Sequence, residues 1–310
     1  MGMEIDRIEF TAEEHRAYED KLRRDLAALR SVLARPGFGV GPSSLGAELE
    51  LHLVDAAGRP VPDNQRVLAR AADPRLTLEV DRFNLEVNSR PTPLAGRPFS
   101  ALREDLGAAL ASVRAAAAPS GAEPALIGIL PTLDDADLGP GALTAGLRYQ
   151  ALSRAIRRLR GEPLPLRIDG PDHFELVADN VTFEGANTSF QVHLRVDPAD
   201  FARTYNAAQI AVAQAPALST NSPLFFGKRL WEETRIAPFR QSVDARPLRG
   251  ARPHGEDRRE VPPPRTRGDR PRRAVAAEGE RGDGSLPGAL EVRRPRRAVV
   301  SAPAARRRRR

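Results

Sequence analysis

The clearest pattern in the chain lies between Ser44 and Val54, where apolar and polar residues alternate strictly. Ala47, Leu49, Leu51 and Leu53 fall on one face of a strand and Glu48, Glu50 and His52 on the other, because successive strand side chains point to opposite sides. The apolar face requires a core. The polar face sets two carboxylates and an imidazole in one row, without the Lys, Arg, Thr or Ser usual on a wetted face. Strands disfavour Glu, so the pair suggests a site for a hard cation such as Mg²⁺. An ordinary half-buried strand has the same alternation and is the simpler reading of this stretch alone.

The same reasoning carries along the chain. Residues 11–34 read as a packing helix, with Thr11 as N-cap, Glu14 at the capping-box spacing and Tyr18, Leu22, Leu26, Leu29 and Leu33 as its stripe. Residues 55–60 read as a turn and 63–72 as a short helix. Two short strands follow, Leu76–Val80 and Phe83–Ser89. The second sets Phe83, Leu85 and Val87 on one face and Asn84, Glu86, Asn88 and Arg90 on the other. An Ala-rich amphipathic helix spans 98–118 through Leu102, Leu106, Leu110 and Val113. Residues 125–130 read as a buried strand, 132–143 as a loop and 144–160 as an Arg-studded amphipathic helix. Between 173 and 196 the pattern returns to β. There Phe190, Val192, Leu194 and Val196 are expected inward, with Ser189, Gln191, His193 and Arg195 on the opposite face. Asp197-Pro198 opens a helix over 199–214, with Phe201, Tyr205, Ala208 and Val212 as its stripe.

Composition changes the picture at one place. The net charge of +7 is not spread evenly. Residues 247–310 carry 19 Arg against 8 acidic residues, so the rest of the chain is mildly acidic. That segment has nine Pro, no aromatic residue, no periodicity and a terminal run Arg306–Arg310, and is expected to be disordered. It could hold nucleic acid non-specifically, through charge alone. Out-of-frame translation of a GC-rich gene would give the same Arg, Pro, Ala and Gly, and is the favoured reading. The chain has no Cys, so a disulfide framework is excluded. Its start is charged and lacks a signal-peptide apolar region, and no apolar run is long enough to span a bilayer. A cytoplasmic protein without a membrane partner is expected.

Three strands thus share one design, an apolar face backed by a polar face holding Glu48/Glu50/His52, Asn84/Glu86/Asn88 or Gln191/His193/Arg195. If these faces lie together, carboxylates can hold Mg²⁺, the metal can bridge ATP phosphates and Arg can neutralise transferred charge. The chain contains no GxxxxGK[ST], GxGxxG, GxSxG or HExxH, so a nucleotide site would be of another kind. A metal-dependent hydrolase is compatible with the same polar face.

The sequence Gly46-Ala47-Glu48-Leu49-Glu50 fits the pattern G-x-E-x-E. It is followed in order by Asn84-Leu85-Glu86-Val87-Asn88 and by Glu184-Gly185-Ala186-Asn187-Thr188-Ser189-Phe190-Gln191-Val192-His193. Tyr205-Asn206-Ala207-Ala208-Gln209, Thr220-Asn221-Ser222-Pro223 and Trp231-Glu232-Glu233-Thr234-Arg235 come next. In these pieces the chain resembles the second family of glutamate–cysteine ligases, bacterial carboxylate–amine ligases related to glutamine synthetase, over about residues 40–246. The resemblance implies an α+β fold: an antiparallel sheet curled into an open funnel, with helices packed on its outer face. It implies ATP-dependent joining of glutamate to an amino-acid amine, by default cysteine, with Mg²⁺, as in glutathione biosynthesis. Glu48, Glu50, Glu86 and His193 would hold the metal. Gln191, Asn221, Asn88 and Glu232 would bind substrate or ATP, and Arg235, with Glu86, would act catalytically. Residues 1–246 would form the catalytic domain, incomplete because 247–310 match none of the family's later strands. An inactive truncated member or a basic-tail interaction protein is the alternative. Oligomeric state stays open, a homo-oligomer included.

Overall fold

A computed structural model describes residues 5–161, 163–178 and 180–242. The disordered tail expected at 247–310 lies outside the described residues. The elements in order are α1 (Ala12–Leu33), β1 (Ser44–Val54), α2 (Asn64–Ala71), β2 (Leu76–Leu78), β3 (Asn84–Asn88), β4 (Thr92–Pro93), α3 (Pro98–Ala117) and β5 (Glu123–Ala125). They continue with α4 (Leu147–Arg160), β6 (Leu164–Asp169), β7 (His173–Ala178), α5 (Thr182–Gly185), β8 (Phe190–Arg195), α6 (Phe201–Ser219), β9 (Leu224–Phe225), β10 (Lys228–Arg229) and α7 (Ile236–Ser242). The class is α+β, as expected. No helix among the described residues is long and apolar enough to cross a membrane.

The alternating stretch at 44–54 is the middle of a six-stranded antiparallel sheet. One edge of β1 pairs with β3, from Glu48↔Asn88 to His52↔Asn84, and at its start with β4; β2 lies beyond β3. The other edge pairs with β8, from Ser44↔Arg195 to Leu49↔Phe190, and then with β5, from His52↔Ala125 to Val54↔Glu123. Between these two partners neither Glu50 nor Leu51 has a paired residue on β8 or β5, although the Glu50 N–H still donates to the Ser189 carbonyl at 3.0 Å.

The apolar face of the sheet is covered by α2 and α3. Leu51, Leu53, Leu85 and Val87 pack with Val67 of α2 and Ala109, Val113, Ala116 and Ala117 of α3, while Leu45 and Ala47 meet Leu102. Each fully buried Leu or Val there contributes about 1.5–3 kcal/mol. A second core joins the β6–β7 hairpin to α5, α7, β9 and the segment around Ile129–Leu138. Its centre is aromatic: Phe225 lies 5.0 Å from Phe174 and 4.4 Å from Phe226, centroid to centroid.

Three expectations need correction. The capping box of α1 forms, with the Glu14 N–H donating to Thr11 Oγ1 at 3.2 Å and the Thr11 N–H to Glu14 Oε2 at 2.8 Å. Yet the helix buries no residue, and Tyr18 of its stripe is 66 % exposed. An amphipathic period tells which residues share a face, not that a partner covers it. The same holds on β8, where Phe190, Val192 and Leu194 are exposed rather than inward, and on α6, which buries no residue. β8 lies at the sheet edge, beyond the cover of α3. Finally, the strand expected at 125–130 ends at Ala125. Beyond it the backbone leaves β1: the Gly128 N–H donates to Asn221 Oδ1 at 3.0 Å, and its carbonyl accepts from the Thr188 N–H at 3.0 Å.

Candidate active site

The registers place the three polar rows on one face, since Glu48 opposes Asn88 and Gln191, Glu50 opposes Glu86, and His52 opposes Asn84. Like charges directly opposite one another weaken a sheet, so strand pairing alone does not explain Glu50 against Glu86. The face runs from a closed end to an open one. At the closed end His52 and Asn84 are buried and joined by Nδ1···Nδ2 at 3.2 Å. Burial pushes the imidazole down to about 3, so His52 is neutral and belongs to the packing, stacked beside Phe83. At the open end half-exposed His193 stands with Nε2 3.4 Å from Glu48 Oε1.

Between the ends the carboxylates are fixed by neutral donors. Glu86 Oε1 accepts from Asn88 Nδ2 at 2.6 Å and from Thr77 Oγ1 at 3.0 Å. Glu50 Oε2 accepts from the Ser189 N–H at 2.7 Å, and the Gln191 amide also favours its ionised form. Burial nevertheless raises the Glu50 carboxyl above its ordinary range.

Three acids join this face that the sequence reading did not single out as site residues. Glu79 follows Thr77 in the same strand phase, and burial, then the charges of Glu86 and Glu50, push it up to about 8. Glu184 rises to about 7 through burial and then Glu50. Asp81 is fully buried, neither carboxylate oxygen has a hydrogen-bond partner among the described residues, and burial, then Glu184, raise it well above the carboxylate range. Gly185 packs so close to Asp81 that a Cβ there would stand 2.5 Å from its Cγ. The phase of Glu79 was readable from Thr77; the approach of α5 was not.

Carboxylates crowded enough to raise one another's proton affinity suit a hard divalent cation in donor chemistry. Among the described residues, however, no three His, Asp or Glu side chains are arranged to hold one metal ion between them.

A cavity of about 420 Å³ opens beside Glu50, between the β8 and β5 pairings of β1. Asn221, Glu233 and Arg235 line its polar end with Ser189 and Gly128. Arg235 Nε bonds Glu233 Oε1, while Glu233 Oε2 accepts from the Asn221 N–H and from Ser222 Oγ, both at 3.3 Å. Gly128 permits this approach, since a Cβ there would stand 2.9 Å from Asn221 Oδ1 and 3.0 Å from Arg235 Cδ. Of the expected residues, Glu50, Asn221 and Arg235 therefore meet at one cavity. Glu48, Glu86, Asn88, Gln191 and His193 share the adjoining face. Glu232 does not come in: its side chain is 73 % exposed, and the acid in the cavity is Glu233. Sequence pattern does not separate two adjacent glutamates; the turn that carries them does.

The model of glutamate–cysteine ligase family 2 (GCS2) matches residues 44–263, most of the chain, and extends past residue 246, where the resemblance was expected to end. No curated protein and no solved structure matches.

Proposed function

From the membership of this chain in glutamate–cysteine ligase family 2, we propose that it is an ATP-dependent carboxylate–amine ligase joining the γ-carboxylate of glutamate to the amine of a second amino acid, cysteine by default. The observation that carries this reading is the meeting of Glu50, Asn221 and Arg235 at one cavity beside a face of opposed carboxylates.

In this reading the γ-carboxylate oxygen of glutamate attacks the γ-phosphorus of ATP. ADP leaves with the bridging oxygen, and the amine then displaces phosphate from the acyl phosphate. Arg235 faces the anionic phosphoryl group, where a fixed guanidinium offsets charge on the equatorial oxygens. Asn221 is locked by its bond to the Gly128 N–H, and with Gln191 and Asn88 it orients the substrates; such positioning supplies much of the rate. Glu48, Glu50, Glu86 and His193 are the donors this reading offers to Mg²⁺, but among the described residues they do not gather three at a time around one ion, so no step runs through the metal. The sheet would be the wall of a glutamine synthetase-type funnel, residues 1–246 the catalytic domain, and the cytoplasm the place of work.

A second reading, an inactive member with an incomplete sheet, is favoured by the uncovered apolar faces of α1, α6 and β8. One assay separates the two. ADP release is measured with Mg²⁺ and ATP, with and without glutamate plus each of a panel of amino-acid acceptors, cysteine among them. Amino-acid-dependent ADP formation that Glu86→Ala abolishes supports the ligase. Its absence from folded protein supports the inactive member.

A further inference from the structure

The cavity beside Glu50 continues away from the polar face. Where β8 hands over to β5 along β1, its lining includes both strand phases, Glu50 from the polar face and Leu49, Phe190 and Val192 from the other, with Ile127 beside them. There its walls are Phe190 and Val192 of β8 and Val212 and Pro216 of α6. Every charged residue in its lining, Glu50, Glu233 and Arg235, sits at the polar end. The exposed side chains of β8 and α6 thus include a sleeve ending at the proposed reaction centre.

The geometry points to this sleeve as the acceptor pocket of the ligase, taking an amino acid with a branched or aromatic apolar side chain in preference to cysteine. The inference rests on the ligase reading above. Its argument is one of shape and desolvation. The volume lies within the few hundred Å³ usual for small-molecule sites. A charged acceptor side chain finds no partner along these walls, whereas an apolar one covers part of Phe190, Val192 and Val212, each of which is otherwise more than half exposed. The acceptor's α-carboxylate would lie at the polar end of the cavity beside Asn221, while Arg235 keeps its place at the phosphoryl group. Its neutral amine would face the acyl phosphate. The nitrogen lone pair attacks the carbonyl carbon, the C–N bond forms, and the C–O bond to phosphate breaks with its electron pair. The departing phosphate takes the amine proton.

The test is equilibrium binding by titration calorimetry on the full chain, with L-leucine, L-cysteine and L-aspartate as probes. Leucine is expected to bind at least tenfold more tightly than cysteine, the scale set by one or more methylenes in an apolar pocket, and more tightly still than aspartate. Val212→Asp should weaken leucine binding at least tenfold and Val212→Ile should preserve it, with folding verified by circular dichroism. Cysteine binding as tightly as leucine, or leucine binding unchanged in folded Val212→Asp, overturns the pocket. Trapping the acyl phosphate with hydroxylamine tests the underlying reading separately. Wild-type protein that forms no glutamyl hydroxamate with Mg²⁺, ATP and glutamate is not a ligase, whatever it binds in the sleeve.

Discussion

Glu79 offers the most direct physical test of the crowded polar face. In the folded chain its carboxyl holds its proton up to about pH 8, against an ordinary value of 4.5, because burial and the charges of Glu86 and Glu50 oppose ionisation. The folded value lies above the unfolded one. The stability it lends is therefore fully present below about 4.5 and is lost as the pH rises toward 8. One unit corresponds to about 1.4 kcal/mol, so the full span is worth ~5 kcal/mol. Partial exposure and the interaction with Glu86 reduce this to roughly 2–3 kcal/mol. At about 2–4 °C per kcal/mol for a domain of this size, the melting temperature should fall by ~5–10 °C between pH 5 and pH 8.5. Glu79→Gln keeps the shape without the charge and should remove this share of the fall. The slope that remains belongs to Asp81, Glu184 and Glu50, whose carboxyls burial also raises, and to His173, raised by its hydrogen bond to Asp169. The assay is a set of circular-dichroism melts from pH 5 to 9 in EDTA. A wild-type protein as stable at pH 8.5 as at pH 5, or a variant with the same slope as wild type, would refute the reasoning.

Other outcomes follow from the same geometry. Gly185→Ala forces a Cβ onto Asp81 and should cost about 1–3 kcal/mol in urea unfolding. Leu51→Ala, in the core under α3, should cost about 2–5 kcal/mol. Leu26→Ala, on the uncovered stripe of α1, should stay within about 0.5 kcal/mol; equal losses would mean that the stripe is covered in solution. Gly128→Ala pushes against Asn221 and Arg235 and should lower glutamate-dependent ADP formation at least tenfold while melting within a few degrees of wild type.

What the sequence determined was local and periodic. A strand repeats every two residues and a helix every 3.6, so the faces of β1, β3 and α3 and the capping box at Thr11 could be read from neighbours in the chain alone. The same period put Glu48, Glu50, Glu86 and His193 in one phase, and ordered motifs carried the family. Tertiary structure decided what faces what. Burial, not phase, turned His52 from a member of the polar row into a neutral packing residue, because only its end of the strand is closed over. The approach of α5 brought Glu184 to Glu50 and Gly185 to Asp81 across some hundred residues of chain. One turn chose Glu233 over Glu232. The apolar rows of α1, α6 and β8 satisfy every periodic rule and yet lie open. Periodicity is a property of the backbone, whereas burial needs a second surface supplied from elsewhere in the fold.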